Sequence, residues 1–91
     1  MEHKKLLKIR NDLGLHGRAA AKIVDLTRQY KSKLFFSKGG NEEVDGSNIL
    51  SILTLSGSKG TEIEARAVGG DSEELIDKLS LLFDDKFGEG K

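Results

Sequence analysis

Several residue types that mark particular protein classes are missing from this chain of 91 residues. It has no cysteine, which excludes disulfides and thiolate metal sites and removes any need for an oxidising compartment. It has no tryptophan, one tyrosine and four phenylalanines, too few and too scattered for a platform that stacks nucleic-acid bases. Its 15 basic and 15 acidic residues cancel, so the basic excess typical of nucleic-acid binding is absent.

The chain also lacks long apolar runs. None approaches the roughly 20 residues that span a bilayer, and no apolar segment follows the charged residues 1–5. We therefore expect no membrane insertion, no signal peptide and a cytoplasmic location. Residues 1–91 are predicted to form one domain that buries about 60–65% of its unfolded surface. Such a domain has no room for a deep pocket, which favours a binding or carrier module over a classical enzyme. We expect it to bind no cofactor and no metal.

The apolar pattern predicts the element order βαββαβα. Strands are expected at 4–9, 32–37, 42–45 and 61–68, where Ile63, Ala65 and Ala67 should face the core. This order predicts an α+β, open-faced β-sandwich, in which three helices cover one face of a four-stranded antiparallel sheet. Helices are expected at 17–30, from Ser47 or Asn48 to about 55, and after Asp71 or Ser72, the last burying Leu75, Ile76, Leu79, Leu82 and Phe83.

The aromatic residues, His3 and the C-terminal segment are expected to have structural roles or none. Tyr30, Phe35 and Phe36 are expected in the core. His3 is expected at a frayed start, without a nearby ligand or base. Residues 86–91 carry no core signal and are expected to fray.

The segment from Asn11 to Ala21 is the most informative for chemistry, because it places His16 and Arg18 at the predicted start of a helix. The first amides of a helix lack intrahelical acceptors, and the helix dipole adds positive charge there, so an anion is stabilised. A neutral imidazole can attack phosphorus, and an arginine can grip phosphoryl oxygens with two donors. On spacing alone, a histidine in this position is more often a cap or a surface residue, and both interpretations stay open.

The segment Gly14-Leu15-His16-Gly17-Arg18-Ala19-Ala20 resembles the Gly-[Leu/Ile/Met]-His-Ala-Arg-Pro-Ala signature of the HPr phosphocarriers of the bacterial phosphotransferase system. The resemblance extends over nearly the whole chain. Residues 48–55, followed by Ser58-Lys59-Gly60, are similar to the second helix of that family and its Lys-Gly turn.

This resemblance implies that His16 accepts a phosphoryl group on Nδ1 from phosphorylated enzyme I and passes it to an EIIA-type acceptor. It implies that Arg18 stabilises the phosphoryl oxygens and that the amides of Gly17, Arg18 and Ala19 line the anion site. It also implies a monomer. By the same resemblance, the apolar patch that docks the partner proteins comprises Ala21, Ile49, Leu50 and Leu53.

The sequence departs from the family pattern at three positions. Gly17 replaces alanine and Ala19 replaces proline, which loosens the backbone and restores one amide beside the anion site. Asn48 stands where many members carry a regulatory serine, so it can cap the helix but cannot be phosphorylated. Whether the adjacent Ser47 substitutes for that serine stays open at this stage.

Two other functions compete with the carrier hypothesis. A regulatory protein of the same fold could act by binding partners without carrying phosphate, although it would not need both His16 and Arg18. A small RNA-binding or protein-binding sandwich would need a basic or aromatic sheet face, which the alternating Glu62, Glu64 and Arg66 do not provide. The sugar-uptake and nitrogen-related branches of the phosphotransferase system both remain open, as does the identity of the phosphate acceptor.

Overall fold

A computed structural model describes residues 1–91 and contains the seven predicted elements in the predicted order. No helix has the length and apolar character needed to cross a bilayer. The elements are β1 (Glu2–Lys8), α1 (Gly17–Thr27), β2 (Lys33–Ser37), β3 (Val44–Asp45), α2 (Ile49–Leu53), β4 (Glu62–Val68) and α3 (Ser72–Asp84), followed by a 3₁₀ turn (Lys86–Gly88).

The four strands form one antiparallel sheet in the order β1-β4-β2-β3. β4 lies between β1 and β2, with Ile63 opposite Leu7 and Ala65 opposite Phe36. Ile63, Ala65 and Ala67 are fully buried, whereas the two glutamates of the strand are exposed. The alternation predicted for this strand is confirmed, so one face of the sheet is covered and the other is open.

The helices cover the buried face of the sheet, which confirms the open-faced β-sandwich. The helical periodicity predicted for α1 is confirmed, because the residues it buries recur at spacings of three and four. Leu82 is only partly buried, contrary to prediction, because it borders a groove between α1 and α3. The residues buried by the three helices are Ala19, Ala20, Ile23, Val24 and Thr27 of α1, Ile52 of α2, and Ser72, Leu75, Ile76, Leu79, Ser80 and Phe83 of α3.

The aromatic residues divide between the two faces of the sheet. Phe36 is buried in the core, as predicted, but Phe35 is only partly buried. Neighbouring residues on a strand point to opposite faces, so Phe35 lies on the open face, with the Arg66 guanidinium 4.7 Å from its ring centre. Tyr30 packs against the core from a partly buried position.

One expectation about the polar residues near the ends of elements, that of a frayed start at His3, is wrong. His3 lies within β1, opposite Ala67, and its Nδ1 is 2.8 Å from Ser72 Oγ, so the first strand does not fray there. Asp71 precedes α3 but makes no side-chain cap bond. Its carboxylate instead accepts hydrogen bonds from the backbone N–H groups of Lys31 and Ser32, both at 2.9 Å, and ties α3 to the start of β2.

The C-terminal segment 86–91 does not fray, contrary to prediction. Phe87 is fully buried, and its ring centre lies 4.9 Å from that of Phe83 in an edge-to-face arrangement. The backbone of Lys86 and Phe87 takes positive φ angles of 57° and 55°, which turns the chain back towards the first helix. The Asp12 N–H then donates to the Lys91 carbonyl at 3.0 Å. One buried aromatic ring therefore anchors the whole tail.

We expect Phe87→Ala to lower the free energy of unfolding by about 3–5 kcal/mol, the usual cost of truncating a buried phenylalanine. Urea denaturation measures the change. Leu81→Ala is the control, because Leu81 is 61% exposed on α3 and its truncation should cost less than about 0.5 kcal/mol. Equal effects of the two substitutions would contradict the anchoring role of Phe87.

Candidate functional site

The loop that leads into α1 is positioned by a close backbone contact. Gly14 has φ +69°, and a Cβ on this residue would lie 2.4 Å from the Gly57 carbonyl oxygen. The Leu15 N–H donates to the same carbonyl at 2.9 Å, and the Leu15 side chain is buried. Only glycine fits at position 14, and the contact places His16 at the first turn of the helix.

His16 is the N-cap residue of α1. Its Nδ1 accepts a hydrogen bond from the Arg18 N–H at 3.2 Å, and its carbonyl accepts one from the Ala20 N–H at 2.9 Å. The side chain is 24% exposed, so the ring is accessible from outside. Of the three amides predicted to line an anion site, that of Arg18 bonds the His16 ring, while those of Gly17 and Ala19 have no acceptor within the chain.

Three positively charged side chains and two carboxylates line a cleft of about 530 Å³ beside the start of α1. Arg18 and Lys22 are exposed on the first turns of the helix, and Lys91 comes from the tail. The lining of the cleft comprises Asp12, Leu13, Arg18, Lys22, Gly88, Glu89 and Lys91.

Glu89 is the residue of this site that sequence reasoning missed. Its carboxylate contacts His16 Nε2 through one oxygen and accepts a hydrogen bond from Asn11 Nδ2 at 2.8 Å through the other. Lys22 Nζ contacts the Phe87 carbonyl and holds the tail on the same side of α1. The only sign in the sequence that this segment packs against the domain was Phe87, a phenylalanine in an otherwise polar segment.

The pKa of Glu89 reflects opposing effects. Burial of its carboxyl raises the pKa, but the hydrogen bonds from Asn11 and His16 and the nearby charge of Arg18 lower it by more. The net pKa lies below its ordinary value of 4.5. The carboxylate is therefore held in its charged form against the His16 ring.

The residues predicted to dock partners differ in exposure. Leu50 is 74% exposed and Ile49 38%, whereas Leu53 and Ala21 are partly buried. Ile52 is fully buried and Leu53 packs against the core, so α2 turns only Ile49 and Leu50 outward. Leu13, which sequence reasoning also missed, is 65% exposed and lines the cleft beside Arg18. The only sequence signal for this exposed position was an apolar residue in a polar turn.

Asn48 caps α2, because its Oδ1 accepts a hydrogen bond from the Ser51 N–H at 3.0 Å. Ser47 lies outside the helix, and its hydroxyl donates to Asp45 Oδ1 at 2.6 Å. The neighbouring serine is therefore directed towards β3 and away from the helix start. Elsewhere, no group of three or more histidine, cysteine, aspartate or glutamate side chains could hold a metal ion.

A small open-faced α+β sandwich with one accessible histidine at the start of its first helix defines the class of this protein, and comparisons give the family. Residues 3–85 match the family model described as "PTS HPr component phosphorylation site". The chain is 36% identical to "Phosphocarrier protein HPr" of Neisseria meningitidis over 88 residues, which cover 97% of this chain and 98% of that one. It therefore belongs to the HPr family of phosphotransferase-system phosphocarriers.

Solved structures agree with this assignment. HPr-C-His from Thermoanaerobacter tengcongensis superposes with a TM-score of 0.89 at 34% identity, covering 96% of this chain and 97% of that one. A structure described as an HPr dimer from the same organism gives 0.75 at 36% identity, with 91% and 94% covered. The fold of the family is thus preserved here, including the element order.

The low pKa of Glu89 predicts a pH dependence of stability. Because the pKa is lower in the folded than in the unfolded chain, its contribution is complete above pH 4.5 and is lost as the pH falls through the folded value. We expect the difference in unfolding free energy between wild type and Glu89→Gln to shrink as the pH falls below 4.5. Denaturation at a series of pH values measures it. A difference that stays constant into the acid range would contradict the prediction.

Proposed function

We propose that His16 is the phosphoacceptor of this HPr-family protein. It takes a phosphoryl group on Nδ1 from phosphorylated enzyme I and passes it to an EIIA-type acceptor. The observation that carries the proposal is the accessible His16 ring at the N terminus of α1, with Nδ1 beside the helix amides. The protein is a relay that forms a phosphohistidine, and we expect it to work as a cytoplasmic monomer.

The groups around His16 suit a phosphoryl group chemically. A neutral ring nitrogen is the nucleophile, and the free amide of the exposed Gly17 offers a donor to phosphoryl oxygens, whereas Ala19 is fully buried. Arg18 is exposed and can reach the group with two parallel donors, which strengthens and orients the contact. Of the departures from the family signature, Gly17 fits this role, because a Cβ added there would meet no atom within 4 Å and the approach to the helix end is open.

The apolar residues beside the site support a docking role. Leu50, Ile49 and Leu53, together with Ala21, belong to helices that pack against each other. A transient partner needs a small apolar patch next to the transferred group, and Leu13, which lines the cleft with Arg18, is a further exposed apolar residue. We propose that enzyme I and the acceptor protein dock here in turn.

We also propose that this protein lacks the serine switch of many family members. Asn48 caps α2 but offers no hydroxyl to a kinase. The Ser47 hydroxyl is engaged with Asp45, one residue before the helix cap. A kinase that recognises a serine at the helix start would therefore find no substrate.

We expect His16→Ala to abolish phosphorylation, since the substitution removes the nucleophile. The assay is incubation with enzyme I and phosphoenolpyruvate followed by intact-mass analysis. One phosphate per wild-type chain, lost in acid and stable in base, identifies a phosphohistidine. His3→Ala is the matched control, because the chain has only two histidines.

His16→Ala should stay folded, since loss of a cap costs about 1 kcal/mol. Phosphate on the His16→Ala protein would show that the acceptor lies elsewhere. An unphosphorylated wild type that still binds its partners would instead favour a regulatory protein of the same fold.

We expect Leu50→Glu to weaken the enzyme I complex roughly 10-fold or more, because a charge at an apolar contact must lose its hydration. Titration calorimetry measures the affinity, and a thermal melt measures stability. Leu81→Glu is the control, since Leu81 is also exposed but lies on α3. Unchanged affinity would exclude Leu50 from the interface, and a collapsed melting temperature would place it in the core.

A further inference from the structure

The two nitrogens of the His16 ring face groups of opposite hydrogen-bonding character. The Arg18 backbone N–H can only donate, so Nδ1 must accept that bond with its lone pair. The Glu89 carboxylate, whose pKa is low, can only accept, so Nε2 must carry the hydrogen that faces it. Together they select the neutral tautomer that has its proton on Nε2 and its lone pair on Nδ1.

Glu89 is itself held by a buried amide. Asn11 is fully buried, and its Nδ2 donates one hydrogen to the Gly14 carbonyl at 2.9 Å and the other to Glu89 Oε1 at 2.8 Å. A backbone carbonyl only accepts, so it fixes which end of the Asn11 amide faces Glu89. A series of hydrogen bonds therefore runs from the Gly14 backbone through Asn11 and Glu89 to the His16 ring.

We propose that Glu89, held by Asn11, is a positioning residue that keeps the proton of His16 on Nε2 and the lone pair of Nδ1 directed at the helix N terminus. The inference rests on the proposed role of His16 as the phosphoacceptor. In transfer, the Nδ1 lone pair forms the new N–P bond, and the bond from phosphorus to the donor atom breaks with its electrons left on the donor. The Nε2 proton stays in place, and the ring gains positive charge that the carboxylate stabilises.

The substitution Glu89→Gln tests this geometry because it keeps the shape of the side chain. Asn11 still offers a hydrogen to the glutamine oxygen, so the glutamine NH₂ must face His16 Nε2. An NH₂ group donates, and Nε2 must then accept. The ring proton moves to Nδ1, where it opposes the Arg18 N–H and blocks the nucleophilic lone pair.

The first measurement needs no phosphate. Imidazole ¹⁵N chemical shifts of the full chain, taken at about pH 8.5, where an ordinary histidine is neutral, report which nitrogen carries the proton. We expect protonated Nε2 in the wild type and a shift towards protonated Nδ1 in Glu89→Gln. Glu73→Gln is the matched control, because Glu73 faces the other histidine, His3, at 3.6 Å and should leave the His16 signals unchanged.

The second measurement is the rate of phosphoryl transfer from phosphorylated enzyme I. We expect Glu89→Gln to lower it about 10- to 100-fold, the effect seen when outer-shell partners of metal-bound histidines are removed. The amide spectrum of each variant verifies that it is folded. Unchanged imidazole shifts, or an unchanged transfer rate, in folded Glu89→Gln would overturn the positioning role. Failure of the wild type to accept phosphate would instead overturn the proposed function, and the tautomer measurement separates the two cases.

Discussion

The loop before α1 and the loop after α2 approach so closely that no side chain fits at Gly14. A Cβ on Gly14 would lie 2.4 Å from the Gly57 oxygen, and a Cβ on Gly57 would lie 2.4 Å from Ile9 Cδ1. A larger residue at either position would separate the loops or strain the core. Because the chain continues from Gly14 through a buried Leu15 into the helix, this contact determines where His16 is presented.

Residues 86–91, the C-terminal tail, contact His16 from the side opposite the helix amides. Phe87 is buried against Phe83 of α3, and this places Glu89 within reach of both Asn11 and His16. His16 thus lies between a carboxylate on its Nε2 side and helix amides on its Nδ1 side. The Glu89 carboxylate and the Arg18 N–H therefore contact opposite nitrogens of the same ring.

The two faces of the protein differ in chemistry because only one face of the sheet is covered. On the open face, Arg66 pairs with Glu43 at 2.7 Å and with Glu2 at 3.0 Å while it stacks over Phe35. These charges protect an aromatic side chain that the helices do not cover. By contrast, Leu13 of the loop before α1 and Leu50 of α2 are apolar side chains that remain exposed.

The sequence by itself determined the element order, the buried face of β4 and the histidine at the start of α1, because each is encoded in residues near one another in the chain. The predicted bounds of two elements were too long: α1 ends at Thr27 and not at residue 30, and β3 is Val44–Asp45 and not 42–45, since turns compete locally with both. Only the tertiary structure decided that the tail packs against the domain and that Glu89 contacts His16. The contact between Glu89 and His16 joins residues 73 positions apart, and it depends on the burial of Phe87 against Phe83 in the core. No local periodicity encodes such a contact, because the free energy that forms it comes from packing between elements.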